Sequence, residues 1–214
     1  MLDPEQEVAM SAAPFRPLAG EPDPTGPLVS PAGHPYELPL NDFATEAELA
    51  EAVLDRLEPA FHIRREWPGR HCSGRPARID AVIRPRDLAP WRDEVVTFGV
   101  EFKLPPAEAG THAYTGWLAQ AVDYTHVDWK GLGRLKILTC PGPALWLDRI
   151  QQYSQADSAV SLARRLSGQL GIGELVLRWT HGLTIAFNGE QVWSERYGVV
   201  RGRTWTMAPR VGSR

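Results

Sequence analysis

Asp80 and the triplet Glu101-Phe102-Lys103 are the residues whose types and spacing could do chemistry. In the predicted strand Val95–Leu104 side chains alternate, so Thr97, Gly99, Glu101 and Lys103 share one face and Phe98, Val100, Phe102 and Leu104 share the other. A carboxylate and an ammonium in the middle of a buried strand are unfavourable unless something there uses them. The strand before it repeats the anomaly: Ile79, Ala81 and Ile83 are expected on an apolar face, with Asp80 opposite them beside Val82. If the two strands pair, Asp80 and Glu101 converge within reach of one hard divalent cation, which prefers carboxylate and carbonyl oxygens. Lys103 then lies where it can position an attacking water, help deprotonate it and neutralise phosphate charge.

The elements around these strands have clear signals. Thr45 is a good N-cap, followed by Glu46 and Glu48 in a first turn and by the apolar stripe Leu49, Val53 and Leu57, which predicts an amphipathic helix over 46–58. At about 100° per residue, Glu46 falls inside that stripe and Glu48 points away from it, so Glu46 is the candidate that can reach over a sheet edge. Phe61–Trp67 reads as a strand closed by a Pro68-Gly69 turn, Arg78–Ile83 as one following a Ser73-Gly74 turn, and Pro105-Pro106 stops Val95–Leu104. A long helix is expected over Ala113–Trp129, with Gln120 and Tyr124 at i, i+4 on the face of Trp117 and Ala121. A strand Arg134–Thr139, a helix near 155–170 and strands near 174–179, 182–187 and 191–197 follow, with Asn188-Gly189 marking a hairpin. The order α-β-β-β-α-β, then further elements, indicates an α/β domain around a mixed sheet flanked by helices.

Glu46, Asp80, Glu101-Phe102-Lys103 and Gln120-Ala121-Val122-Asp123-Tyr124, in that order, resemble the PD-(D/E)xK or restriction-endonuclease-like nuclease superfamily, and the Gln-x-x-x-Tyr pair is similar to its RecB-like branch. The resemblance spans about residues 45–140 and implies the αβββαβ core of that fold, with 141–214 as a C-terminal α+β extension packed on it. It implies that Asp80, Glu101 and the Phe102 carbonyl bind Mg2+ or Mn2+, with Glu46 supporting the metal. Lys103 would assist the attacking water, and Gln120 and Tyr124 would support metal or DNA. Ile79 stands where the superfamily's name has proline, no four-cysteine iron-sulfur pattern is present, and 141–214 matches no motif.

Composition sets the frame. The chain has 214 residues, 43% of them hydrophobic, enough for one core. Residues 1–39, with Pro22, Pro24, Pro27, Pro31, Pro35 and Pro39, read as a flexible Pro/Gly-rich arm; 40–140 form the core. Cys72 and Cys140 build neither a disulfide framework nor a four-thiolate site, and His62, His71 and His112 lack zinc spacing, although His112 precedes the Gln120/Tyr124 face. No apolar run approaches the roughly 20 residues of a membrane helix, and the acidic start lacks a signal peptide's basic segment, so a soluble cytoplasmic protein is expected. Net charge is −3, which argues against a general DNA coater, but positive residues concentrate at His62–Arg65, Arg70–Arg78 and Arg84–Arg92. Arg164-Arg165 reads as a solvated helix face, Glu66 as structural, and Trp91, Trp117, Trp129, Trp146 and Trp179 as packing residues. The expected activity is magnesium-dependent hydrolysis of phosphodiester bonds, with DNA as partner. The second reading is a nuclease-fold module of weak or no turnover, binding nucleic acid or serving a larger assembly through the arm or the extension; a homodimer fits either.

Overall fold

The computed structural model describes residues 37–38, 43–91, 96–104, 111–142, 162, 164–178 and 181–200. Thr45 is extended (φ −138°, ψ 155°) and its hydroxyl accepts the Glu48 N–H, opening helix α1 over Glu46–Leu57. The stripe expected from the sequence is the buried one: Leu49, Val53, Leu54 and Leu57 all face inward. The strands are β1 (Glu37–Leu38), β2 (Phe61–His71), β3 (Pro76–Pro85), β4 (Phe98–Phe102), β5 (Val127–Trp129), β6 (Lys136–Cys140), β7 (Ile172–Arg178), β8 (Gly182–Phe187), β9 (Glu190–Ser194) and β10 (Gly198–Val199), with helix α2 (Thr111–Tyr124) before β5. Residues 164–169, here α3, are helical; the rest of the helix expected near 155–170 falls outside the described residues, apart from helical Leu162 and Leu170 in a turn.

The fold is mixed α/β, built on one ten-stranded sheet of order β10-β9-β8-β7-β6-β4-β3-β2-β5, with β1 on β7. β6 runs parallel to β4 and β7, and the other pairs are antiparallel. A flat sheet would put β2 and β9, six strand spacings apart, about 29 Å from each other. The rings of Phe61 on β2 and Trp193 on β9 instead meet edge to face, 4.9 Å between centroids. The sheet is therefore curled, and α1 lies in its concave face. One core joins α1 to Ala81, Ile83, Val100, Leu138, Leu177 and Ile185. A second core on the opposite face joins Ile79, Val82, Ile137 and Ile172 to Ala121 of α2 and to Val127 and Trp129 of β5.

Several expectations change. Pro68-Gly69 is no turn: β2 continues to His71, and Gly69 pairs with both Ala77 and Trp129. Glycine is needed there for close approach, because a Cβ would lie 2.5 Å from Val127 Cγ1 and 2.6 Å from Trp129 Cε3. The long helix stops at Tyr124, and Val127–Trp129 becomes β5, buried-exposed-buried along the β2 edge. Two residues of the supposed arm, Glu37 and Leu38, pair with Arg178 and Leu177; the arm before them lies outside the described residues. The segment after 141 is not laid on a finished core, since β7 to β10 continue the same sheet and share its concave core. Arg164 is not solvated: it is 7% exposed and meets Glu174 of β7 at 2.8 Å, while Arg165 is exposed. The Asn188-Gly189 hairpin is as expected, with φ of 55° and 78° joining β8 to β9.

Gly69→Ala is expected to lower stability by about 1–3 kcal/mol, because Trp129 and Val127 have to move to admit the methyl group. Denaturant unfolding measures it; an unchanged midpoint would contradict the close approach.

Candidate active site

β3 and β4 pair as Ala81↔Val100, Val82↔Gly99 and Ile83↔Phe98, so the next position sets Asp80 opposite Glu101, one step past the last backbone rung. There the ladder is continued by a side chain: the Phe102 N–H donates to Asp80 Oδ2 at 2.8 Å. β4 is continued by Lys103, whose N–H donates to the Cys140 carbonyl. The apolar face expected for β4 is present, with Phe98, Val100 and Phe102 in the concave core and Gly99 against Ile79 and Ile137 on the other side.

The alternation expected for β3 breaks. Ala81 and Ile83 pack in the concave core, but Ile79 joins Val82 in the second core, and Asp80 lines a cleft beneath α1. The break is shared with β2. Arg65↔Ala81 and Trp67↔Ile79 are paired rungs, and between them Glu66 adopts φ 55°, the left-handed region. Arg65 and Glu66, although consecutive, both line the same cleft. A strict period of two would have turned Asp80 toward the second core.

Glu101 is 6% exposed. Gln120 Nε2, one turn before the α2 end, donates to Glu101 Oε1 at 2.7 Å and to the Tyr124 hydroxyl at 3.2 Å. Glu101 Oε2 is buried and has no hydrogen-bond partner among the described residues, although the Asp80 backbone N–H lies close enough to favour the carboxylate. Burial, and then the charge of Asp80, push the Glu101 pKa up to about 8, against the pull of Lys103. Asp80 is also raised by burial; its bond from the Phe102 N–H opposes this, and Glu66 and Glu46 add to the rise. Burial raises the Tyr124 hydroxyl in the same surroundings.

Glu46, at the start of α1, accepts from Lys103 Nζ at 2.9 Å and from the Leu104 N–H at 3.3 Å. The structure thus brings all six predicted side chains to one end of β3 and β4, with Glu46 and Lys103 as a pair on the α1 side and Gln120 and Tyr124 on the α2 side. The cleft between α1 and the sheet has a volume of about 290 Å³ and is lined by Glu46, Glu51, Arg65, Glu66, Asp80 and Phe102. Among the described residues, no group of three or more His, Cys, Asp or Glu side chains is placed to hold a metal ion. Two further charged residues line the cleft: Glu66, for which the sequence favours a structural role over a contribution to the site, and Arg65, held by Glu51, which reads from the sequence only as part of a basic run. Their one signal is the run of three consecutive charges Arg64-Arg65-Glu66 between Ile63 and Trp67, which a period of two cannot place. The side chain of His112 lies outside the described residues. No family model, curated protein or solved structure matches this chain.

Because the folded carboxyl of Glu101 titrates near 8 against 4.5 for a free glutamate, the folded state holds the extra proton between those values. Stability from this group is full below about pH 4.5 and lost as pH rises through 8. In chelator, Glu101→Gln should therefore be more stable than the parent protein at pH 8, by on the order of 2 kcal/mol, with a flatter pH profile. Thermal unfolding at pH 5 and pH 8 tests this; equal profiles would show that Glu101 is not the strained group.

Proposed function

We propose that this chain is a divalent-cation-dependent nuclease of the restriction-endonuclease-like, PD-(D/E)xK kind, close to its RecB-like branch, which hydrolyses phosphodiester bonds of DNA. The observation that carries the reading is the closeness of Asp80 and Glu101, whose charges act on one another at the buried Glu101 carboxyl, with Glu101 Oε2 without a hydrogen-bond partner among the described residues. A stable fold has no use for two adjacent half-desolvated carboxylates, whereas a cation between them removes the repulsion. The order of elements supports it too: α1, the β2-β3-β4 meander, α2, then β6 parallel to β4, with β5 the one addition.

The donor set fits a hard cation. Asp80 and Glu101 offer carboxylate oxygens and Phe102 a carbonyl, and Mg2+ characteristically retains several waters rather than requiring a full protein cage. A bound Mg2+ or Mn2+ would supply Lewis-acid stabilisation of charge on the phosphate. The chain's own groups do the rest. Gln120 fixes the Glu101 rotamer through Oε1 and leaves Oε2 for the ion. The Phe102 N–H fixes one Asp80 oxygen and leaves the other. Lys103, steered by Glu46, brings a positive charge and a proton-transferring group to the attacking water and the scissile phosphate.

The second reading, a nuclease-fold module without turnover, takes its support from the Glu46–Lys103 ion pair, which holds the ammonium away from any substrate as long as it persists.

Glu101→Ala and Asp80→Ala are expected to abolish Mg2+-dependent cleavage in a panel of duplex, single-stranded and branched DNA and RNA, and Lys103→Ala to lower it about 10²–10⁴-fold. Calorimetric Mn2+ titration should show binding to the parent protein and to Lys103→Ala but not to Asp80→Ala. Mn2+ binding with no cleavage of any form favours the module; undiminished cleavage by Glu101→Ala sinks the nuclease assignment.

A further inference from the structure

The basic runs His62–Arg65 and Arg70–Arg78 and the start of the third, Arg84 and Arg86, lie together on the hairpin of β2 and β3. Residues 61–86, spanning β2 and β3, carry seven arginines and no lysine against two acids, Glu66 and Asp80. That is net +5 in a chain of net −3, so everything outside the hairpin stands at −8. Three of these arginines are neutralised: Arg65 by Glu51, Arg75 by Asp123 and Arg78 by Glu66. Arg64 and Arg84 are exposed and meet no carboxylate among the described residues.

The register places these two together. His62 pairs with Arg84 and Arg64 with Val82, so His62, Arg64 and Arg84 share the face opposite Phe61 and Ile83, which point into the concave core. Arg86 closes the group, with its Nη1 3.3 Å from His62 Nδ1 and its Nε donating to the Glu58 carbonyl. Arg64 lies over the Trp67 ring, 5.6 Å from its centroid, which orients the guanidinium without discharging it. Arginine is the cation suited to phosphate, since its planar fork binds two oxygens at once and is weakly hydrated. Along β3, Arg84 stands four residues from Asp80, about 13 Å.

We infer that the exposed β2–β3 face carrying Arg64 and Arg84 is the surface that grips the sugar–phosphate backbone of a nucleic acid and leads it to Glu101, which Gln120 of α2 meets on that same face of the sheet. The inference rests on the nuclease reading for its destination, though not for its chemistry. It also accounts for how a chain of net charge −3 holds a polyanion: contact is made through a hairpin whose own net charge is +5. The competing role for the same arginines is protection of the β2 edge, which β5 covers only at Gly69, Arg70 and His71.

The test is fluorescence anisotropy of the full chain with a labelled DNA duplex and the matching single strand, in chelator, across a salt series. Arg64→Glu/Arg84→Glu is expected to weaken binding at least about tenfold, and to reduce the slope of log K against log salt for the duplex by about 2, near 0.9 for each lost phosphate contact. Arg64→Lys/Arg84→Lys should keep most of the slope, and Arg165→Glu on α3 should leave both quantities unchanged. Parental affinity and slope in the double Glu variant overturn the inference, as does a parent protein that binds polyglutamate as tightly as DNA. Loss of monomer on size exclusion with an unchanged salt slope also overturns it, in favour of edge protection. Mn2+ binding and Glu101→Ala separate the two proposals. If the arginine effect is seen but no form of the protein cuts, the nuclease reading falls and the surface stands; if the parent protein cuts and the double Glu variant binds as the parent does, the reverse holds.

Discussion

A carboxylate buried in the middle of a strand is the constraint around which this structure is arranged. Glu101 sits on β4, flanked by β3 and β6, with 6% of its surface exposed and one oxygen without a partner among the described residues. An isolated ion there would cost several kcal/mol, and a neutral carboxyl less, which is why its pKa moves to about 8. Each neighbour meets part of that demand: Gln120 supplies a donor to one oxygen, and Lys103 supplies a positive charge. The charge of Asp80 works in the opposite direction, while its backbone N–H favours the Glu101 carboxylate.

The curl of the sheet is the second half of the arrangement. Because the edge-to-face contact of Phe61 and Trp193 draws β2 and β9 together, α1 is enclosed, and its first turn is held over the ends of β4. The pair Arg56–Glu195 fastens the other end of α1 to the turn after β9. The C-terminal third thus supports the site through its core, since β7, β8 and β9 complete the concave core that fixes α1, and among the described residues it lends the site no side chain. On the far face, α3 is tied to β7 by the buried Arg164–Glu174 pair, one strand beyond β6; Thr139 of β6 is the neighbour of both Glu101 and Glu174.

Charge is distributed with the same economy. The β2–β3 hairpin carries a net charge of +5 in a chain of net −3, and Asp80 lies on the hairpin's own second strand. Glu66 is the hinge of this part. Its left-handed backbone lets Arg65 and Glu66 share the cleft beneath α1, and the adjoining break in β3 sends Ile79 to one core and leaves Asp80 beside the cleft.

The sequence by itself determined what depends on neighbours a few residues apart. The Thr45 cap and the α1 stripe, the alternation along β4, the i, i+4 pair Gln120 and Tyr124 and the Asn188-Gly189 turn were all legible, because each is a local periodic or conformational preference. So were the six side chains now found together, as residues too polar for their strand or helix face. What only the tertiary structure decided depends on contacts between distant segments. Val127–Trp129 left the helical pattern because β2 offered an open edge, and Pro68-Gly69 stayed in β2 because Val127 and Trp129 pack onto it. The strands after 141 joined the one sheet because β6 offered them its free side. Asp80 reached its cleft through a break in alternation opposite Glu66, which no period of two contains. Local preference chose the chemistry and long-range pairing chose its geometry, since the hydrogen bonds and apolar burial that settle strand partners cannot be read from any one strand.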